Sequence, residues 1–283
     1  MSIRHHLLSF TLALLAAAPA TLLAQSGAAP PTNLLSVFRE SVKVGKGPAH
    51  DALETAWSGA LIAAKTPVRM VAISSLTGPA EIWYIAPYES WAAYEKSTDV
   101  SNNTPALSAI DKKFRAQEDQ YLSDARGMTL RPRAELSFGP LADLPNMRYI
   151  SVTRINVRPG HTAEYEEARK MVRAAHEKAR LTDSYTIWQA TAGAPAGTFY
   201  QFVARKTLVE LDSTATIHGA AYIAALGGEE GQKKLAALEA SGVNTQQTDH
   251  FEMTPSQSVP PDEWVKANPK MWERKLPAAP KKP

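Results

Sequence analysis

A strand, a glycine and a long amphipathic helix occur twice in this chain, and that duplication constrains the fold more than any other feature. "VKVGKGPAHDALETAWSGALIAAK" occupies residues 42–65, and "INVRPGHTAEYEEARKMVRAAHEKAR" occupies residues 155–180. Matching Gly47 to Gly160 sets a spacing of 113 residues and puts Val42 with Ile155 and Val44 with Val157. The flanking elements recur in the same order. "LLSVFRESVKV", "VRMVAISSL", "EIWYIAP" and "RAELSF" read as strands of the first half. "YISVTRINV", "SYTIWQAT", "TFYQFVA" and "TDHFEM" read as strands of the second. All are rich in β-branched or aromatic residues or alternate apolar with polar ones, and turns such as "TGPA" and "AGAPAG" separate them. The spacing drifts to 117 at the third strand, where Trp83 meets Tyr200, and is 115 at the last, where Leu136 meets Phe251.

Helical periodicity supplies the rest. The helix over 48–65 puts Ala49, Leu53, Trp57, Ala60, Leu61 and Ala64 on its apolar stripe. The helix over 162–180 puts Tyr165, Ala168, Val172, Ala175 and Ala179 on its own. "YESWAAYEKS" reads as a short helix, 105–124 as a longer one, and 214–241 as one or two more. Each half is thus β-α-β-β-α-β, a ferredoxin-like unit with helices on one sheet face and nothing on the other. A bare apolar face must be covered. The expected fold class is α+β: two tandem ferredoxin-like (βαββαβ) units, 34–143 and 144–255, whose sheets pack into an intramolecular pseudo-dimeric α/β barrel.

Residues 1–24 have a basic start at Arg4, an apolar run from Leu7 and small residues near Ala20 and Ala24, the layout of a secretory signal peptide. Pro19 breaks the run short of the roughly 20 residues a membrane span needs. The expectation is export, periplasmic or secreted, with no membrane span after cleavage. Residues 25–33 read as a linker, and 256–283 as a Pro-rich tail. That tail is either disordered or an extended arm anchored by Trp264 and Trp272. The chain has no cysteine, so an exported form has no disulfide to lean on and its stability must come from its core. Its 31 Lys and Arg against 28 Asp and Glu are interspersed, which argues against a nucleic-acid partner.

With "INVRPGHTAEYEE" in the second half and the looser "VKVGKGPAHDALE" in the first, residues 34–255 resemble the dimeric α/β-barrel superfamily. Within it the likeness is to NIPSNAP-like and antibiotic-biosynthesis-monooxygenase-type modules, here duplicated in tandem. The resemblance implies the barrel fold. It leaves activity open, since the superfamily includes cofactor-free oxygenases, haem proteins, isomerases and members of unknown role. It also makes His218, in "STATIHGAAY", a weak haem-ligand candidate, because haem-using members place an axial His in that region.

The residues themselves define no reaction. Beyond residue 24 the histidines are His50, His161, His176, His218 and His250, and none forms an HExxH or HxxxH pair. No metal site and no required cofactor are expected, with haem the one exception left open. His50 and His161 read as solvated first-turn residues and His176 as exposed. Strand alternation separates Val152, Arg154 and Asn156 from Thr153, Ile155 and Val157, and Arg39 and Ser41 from Val42 and Val44. If the apolar faces meet the helices, Arg39 and Arg154 point into the barrel. The same register pairs Tyr84 with Gln201 and Glu135 with His250, with Trp188 nearby. These seven residues are the candidate lining of a ligand cavity; the alternative is that the charged ones are solvated on edge strands. Two functions follow. The first is an exported module binding a small apolar or aromatic molecule. The alternative is a cofactor-independent or haem-linked monooxygenase-type oxidoreductase, whose base would be Glu135, His218 or His250.

Overall fold

The computed structural model describes residues 32–212 and 219–274. The first half runs β1 (Leu34–Val42), α1 (Gly47–Ala63), β2 (Val71–Ser75), β3 (Glu81–Tyr88), α2 (Trp91–Asn103), α3 (Pro105–Glu118) and β4 (Leu122–Pro132). The second runs β5 (Tyr149–Val157), α4 (Thr162–Ala179), β6 (Thr186–Ala192), β7 (Thr198–Arg205), α5 (Ala220–Leu226), α6 (Gly228–Gly242) and β8 (Val243–Met253). The strands close into an antiparallel barrel in the order β1-β3-β2-β8-β5-β7-β6-β4. Each half keeps the ferredoxin-like order, and the halves join edge to edge. Ile73 pairs with Met253 across β2 and β8, and Leu130 with Ala190 across β4 and β6. Closure leaves no unpaired strand edge. No helix among the described residues is long and apolar enough to cross a membrane.

Alternation divides every strand between two cores. Inward, Val37, Ile73, Trp83, Leu130, Tyr200 and Phe251 fill the lumen. Outward, Ala72, Ile82 and Ala86 meet Leu61 of α1 and Leu107 of α3. On the other side Ile155, Val157, Ile187 and Phe199 meet Tyr165 and Val172 of α4.

Two boundary expectations are corrected. The fourth strand is "LSDARGMTLRP" rather than "RAELSF"; Glu135 and Leu136 fall in a 3-10 turn, Ala134–Leu136, so Leu136 is no partner of Phe251. Helix α3 stops at Glu118, and the residues assigned to its last turn open the strand instead. The internal repeat is also two residues out of step with the Gly47 match. Arg39 pairs with Trp83, and Arg154 with Tyr200, so the spacing at the first strand is 115. Gly45 and Gly160 then coincide, and both need the left-handed backbone, with φ of 78° and 85°. Gly47 merely opens α1. A slip of two leaves each side chain on its own face, so the inward assignment of Arg39 and Arg154 survives it.

Of the two readings of the tail, its described part, residues 256–274, is the anchored arm. Helices α7 (Asp262–Ala267) and α8 (Pro269–Trp272) follow β8. Trp272 joins the lumen core with 1% exposure, and its Nε1 donates to the Pro145 carbonyl at 2.8 Å. Trp264 packs on it edge-on at 5.2 Å. Arg274 returns to α1, donating to the Thr55 carbonyl and Ser58 Oγ at 2.7 and 2.8 Å. The apolar end of the lumen is thereby stoppered from within the same chain.

Two outcomes follow. Residues 34–143 expressed alone have their β2 and β4 edges and inner face uncovered, so light scattering should report a dimer or aggregate; a well-folded monomer would contradict the shared barrel. Trp272→Ala should lower the urea-unfolding free energy by about 3–5 kcal/mol, the usual cost of emptying so large a core site. A loss below about 1 kcal/mol would mean that the arm does not seal the lumen.

Candidate functional site

Two polar sites interrupt the apolar layers. The first is the open mouth of the barrel, at the far end from Trp272. Here the inward residues turn from apolar to charged on β1, β3, β4, β5 and β8. A cavity of about 220 Å³ is lined by Arg39 and Ser41 of β1, Glu81 and Trp83 of β3, Arg126 of β4, Arg154 of β5 and Asp249 and Phe251 of β8. Arg39 sends Nη2 to both oxygens of Glu81 at 2.7 and 2.8 Å, and its guanidinium lies 4.5 Å above the Trp83 ring. Trp83 Nε1 donates to the same carboxylate at 2.8 Å. Arg126 pairs with Asp124 at 2.6 Å, both well exposed. Arg154 has no carboxylate partner among the described residues and reaches only Gln247 Oε1, at 3.3 Å. Arg39 Nε is buried and unpartnered. The mouth thus offers one guanidinium without a counter-ion and one free N–H beside it, above an aromatic floor of Trp83, Phe251 and Tyr200. The Tyr200 hydroxyl is pushed up by burial, against the two arginines.

The second site lies on the opposite face of the first sheet, under α1 and α3. Glu40 of β1, His50 and Glu54 of α1 and Tyr84 of β3 are all buried there. His50 Nε2 stands 2.9 Å from Glu40 Oε2, and the Tyr84 hydroxyl donates to Glu54 Oε2 at 2.9 Å. Gln257, from the segment after β8, lies 3.4 Å from that hydroxyl and donates to Asp51 at 3.0 Å. Burial, helped by Glu118 and Glu54, pushes the Glu40 carboxyl up to about 10, against Arg115. Burial lifts Glu54 to about 7, against the Tyr84 hydrogen bond, and lowers His50. Both partners of the Glu40–His50 contact are driven toward neutrality, so it is a hydrogen bond between neutral groups rather than an ion pair.

Of the expected cavity residues, Arg39 and Arg154 do line the mouth, and Trp188 packs in the lumen core with Nε1 on Thr186 at 3.2 Å. The other four do not face the lumen. Trp83 and Tyr200 are the inward residues of β3 and β7, so Tyr84 and Gln201 face outward. Phe251 takes the inward position on β8, leaving His250 outside with Nδ1 2.8 Å from Ser151 Oγ. Glu135 leaves the strand and pairs with Arg133 at 2.6 Å. His218 lies outside the described residues. Two further histidines correct their readings: His50 is fully buried, and His176 is 3% exposed, with Nδ1 2.8 Å from the Val172 carbonyl.

The buried cluster is what the sequence reading missed. Residues 50, 54, 58 and 61 form the buried face of α1, one step round from the apolar stripe, and three of the four are polar. The signal was present as HxxxE at i and i+4, which puts His50 and Glu54 on one helix face.

No family model matches the chain, and no curated protein matches it. Solved structures do show similarity. A Fusobacterium nucleatum protein provisionally classed as a monooxygenase is 11% identical, with a TM-score of 0.49 over 78% of this chain and 92% of its own. An anthrone oxidase-like protein is 10% identical, with 0.49 over 88% and 97%. A chlorite dismutase from Candidatus Nitrospira defluvii, in complex with imidazole, is 10% identical, with 0.44 over 83% and 95%. At such identities and scores these likenesses carry nothing about chemistry.

The Arg39–Glu81 pair is largely buried, at 17% and 12% side-chain exposure. Glu81→Leu should therefore destabilise by about 3 kcal/mol by leaving the guanidinium unpaired, whereas Arg39→Met with Glu81→Leu should recover most of that loss. Denaturant melts of the single and double variants decide it.

Proposed function

We propose that this protein is an exported small-molecule-binding barrel, and that its ligand is a single-ring aromatic acid or an anion of similar size. The observation that carries this reading is Arg154, a guanidinium without a carboxylate partner among the described residues, at the charged rim of a cavity that Trp83 and Phe251 also line. A ligand carboxylate would take Arg154 and the free Nε of Arg39, and its ring would lie on Trp83 and Phe251. Size supports the class. Engineered cavities of about 150 Å³ hold benzene, and drug-sized ligands need about 300–1,000 Å³. A cavity of about 220 Å³ suits one ring and one acidic group. Export rests on the signal-like start, and the likeness to NIPSNAP-like modules on the motif "INVRPGHTAEYEE", its looser copy "VKVGKGPAHDALE" and the order of elements.

The oxygenase reading has less to stand on. A base for proton abstraction must reach the substrate, and neither His250 nor Glu135 faces the cavity. Among the described residues no histidine lines the mouth, and its volume is small for a macrocycle.

Thermal melts with benzoate and with benzyl alcohol test the proposal. Benzoate should raise the melting temperature of the wild type and the alcohol should raise it less; saturation at about 100 times Kd corresponds to about 2.7 kcal/mol. Arg154→Ala should lose the benzoate shift while keeping its circular dichroism spectrum. An undiminished shift in that variant, or no response to any of a series of aromatic acids, would refute the assignment.

A further inference from the structure

We propose that Glu40, His50 and Glu54 form a binding site for one divalent transition-metal ion of the zinc or manganese type, separate from the barrel mouth. One donor atom from each lies within 4.8 Å of the others, and all three side chains are buried. Donors held at about 2.0–2.2 Å by one tetrahedral ion stand about 3.4 Å apart, so the atoms must draw together on binding.

Three independent observations point to an ion. The first is His50, which is fully buried and directs Nε2 at Glu40 Oε2, 2.9 Å away, so that a ring nitrogen and a carboxylate oxygen already converge. The second is pairing. Neither Glu40 nor Glu54 has a Lys or Arg ion pair among the described residues, so these buried carboxyl groups are not taken up by a cation of the chain. The third is the other half of the molecule. There the corresponding layer is closed by Ile155 of β5 and by Tyr165, Ala168, Val172, Ala175 and a single buried histidine, His176, of α4. The fold therefore closes this layer without a polar trio.

The surroundings resemble the support a metal site requires. Tyr84 fixes the Glu54 carboxylate at 2.9 Å, and Gln257 stands behind Tyr84. The half-exposed Glu118, at the end of α3, sits beside Glu40. One imidazole with two carboxylates selects zinc, manganese or iron over magnesium or calcium, whose sites are built from oxygen alone.

The test uses the full chain, tag removed and stripped with chelator. Titration calorimetry with Zn²⁺ and with Mn²⁺, and elemental analysis after dialysis, should find one ion per chain, Zn²⁺ held more tightly. Glu54→Gln keeps an acceptor for Tyr84 and should abolish stoichiometric uptake. Tyr84→Phe removes only the supporting hydrogen bond and should weaken uptake ~10-fold. Should Glu54→Gln not fold, wild-type crystals soaked in Zn²⁺ decide the matter by the position of the anomalous peak. A peak away from these three residues, no stoichiometric uptake by the wild type, or uptake unchanged in a folded Glu54→Gln variant would overturn the proposal.

Discussion

The two edge-to-edge ladders, β2 on β8 and β4 on β6, are the constraint on which the rest depends. A ferredoxin-like sheet alone has an uncovered face and two free edges. Joining the sheets through Ser74 with Glu252 and through Pro132 with Trp188 removes both defects at once. Closure also fixes what can follow. The lumen becomes a single column of side chains, and its two ends must be finished separately, one apolar and one polar. The close fit of the ladders appears at Gly193, with φ of 77°, where an added Cβ would stand 2.1 Å from the Gly127 carbonyl of β4. Only glycine lets the β6–β7 turn pass there.

The halves share a backbone but fill it differently. At the mouth, Arg39 beside Trp83 is matched by Arg154 beside Tyr200. Only the first arginine has a carboxylate, because Glu81 has Thr198 as its counterpart, and Thr198 is spent on Asn156 at 3.0 Å. Asymmetry in one residue thus leaves a duplicated feature neutralised on one side and available on the other. The C-terminal arm adds a second asymmetry. Its Arg274 binds α1 alone, so one helix layer is braced by the tail and the other is not.

Much of the architecture was legible because periodicity is a direct readout of one-sided burial. Strand β5 and helix α4 fall where "YISVTRINV" and the stripe from Tyr165 place them, since each has one distinct apolar face. Legibility fails where both faces are buried. On β3 the run Ile82, Trp83 and Tyr84 is buried throughout, so alternation cannot say which aromatic faces the lumen. Gln201 and His250 fall on the wrong face for another reason: Tyr200 and Phe251 turn into the lumen, whereas the expectation sends the apolar faces to the helices. Strand β4 hid for the opposite reason: the first six residues of "LSDARGMTLRP" are half-buried or exposed, and only Met128 and Leu130 are fully buried. A polar-rich stretch beside a helix reads as the helix's end until its neighbours claim its backbone.

The cluster of Glu40, His50, Glu54 and Tyr84 shows where reasoning from apolar stripes must stop. A rule that seeks the apolar face of α1 finds Leu53 and Trp57, yet Leu53 and Trp57 are only half-buried while His50 and Ser58 are wholly buried. Stability does not account for that choice. Burying two carboxyl groups and an imidazole costs several kcal/mol before hydrogen bonds offset any of it, and well-packed apolar residues commonly do as well or better. The second half demonstrates the apolar solution within the same fold, with Phe199 4.6 Å from Tyr165 in the equivalent layer. A barrel that can close a sheet–helix layer with Ile155 and Val172 has no packing reason to place Glu40 and Glu54 in the other. The proposed metal site is a reason that packing does not supply.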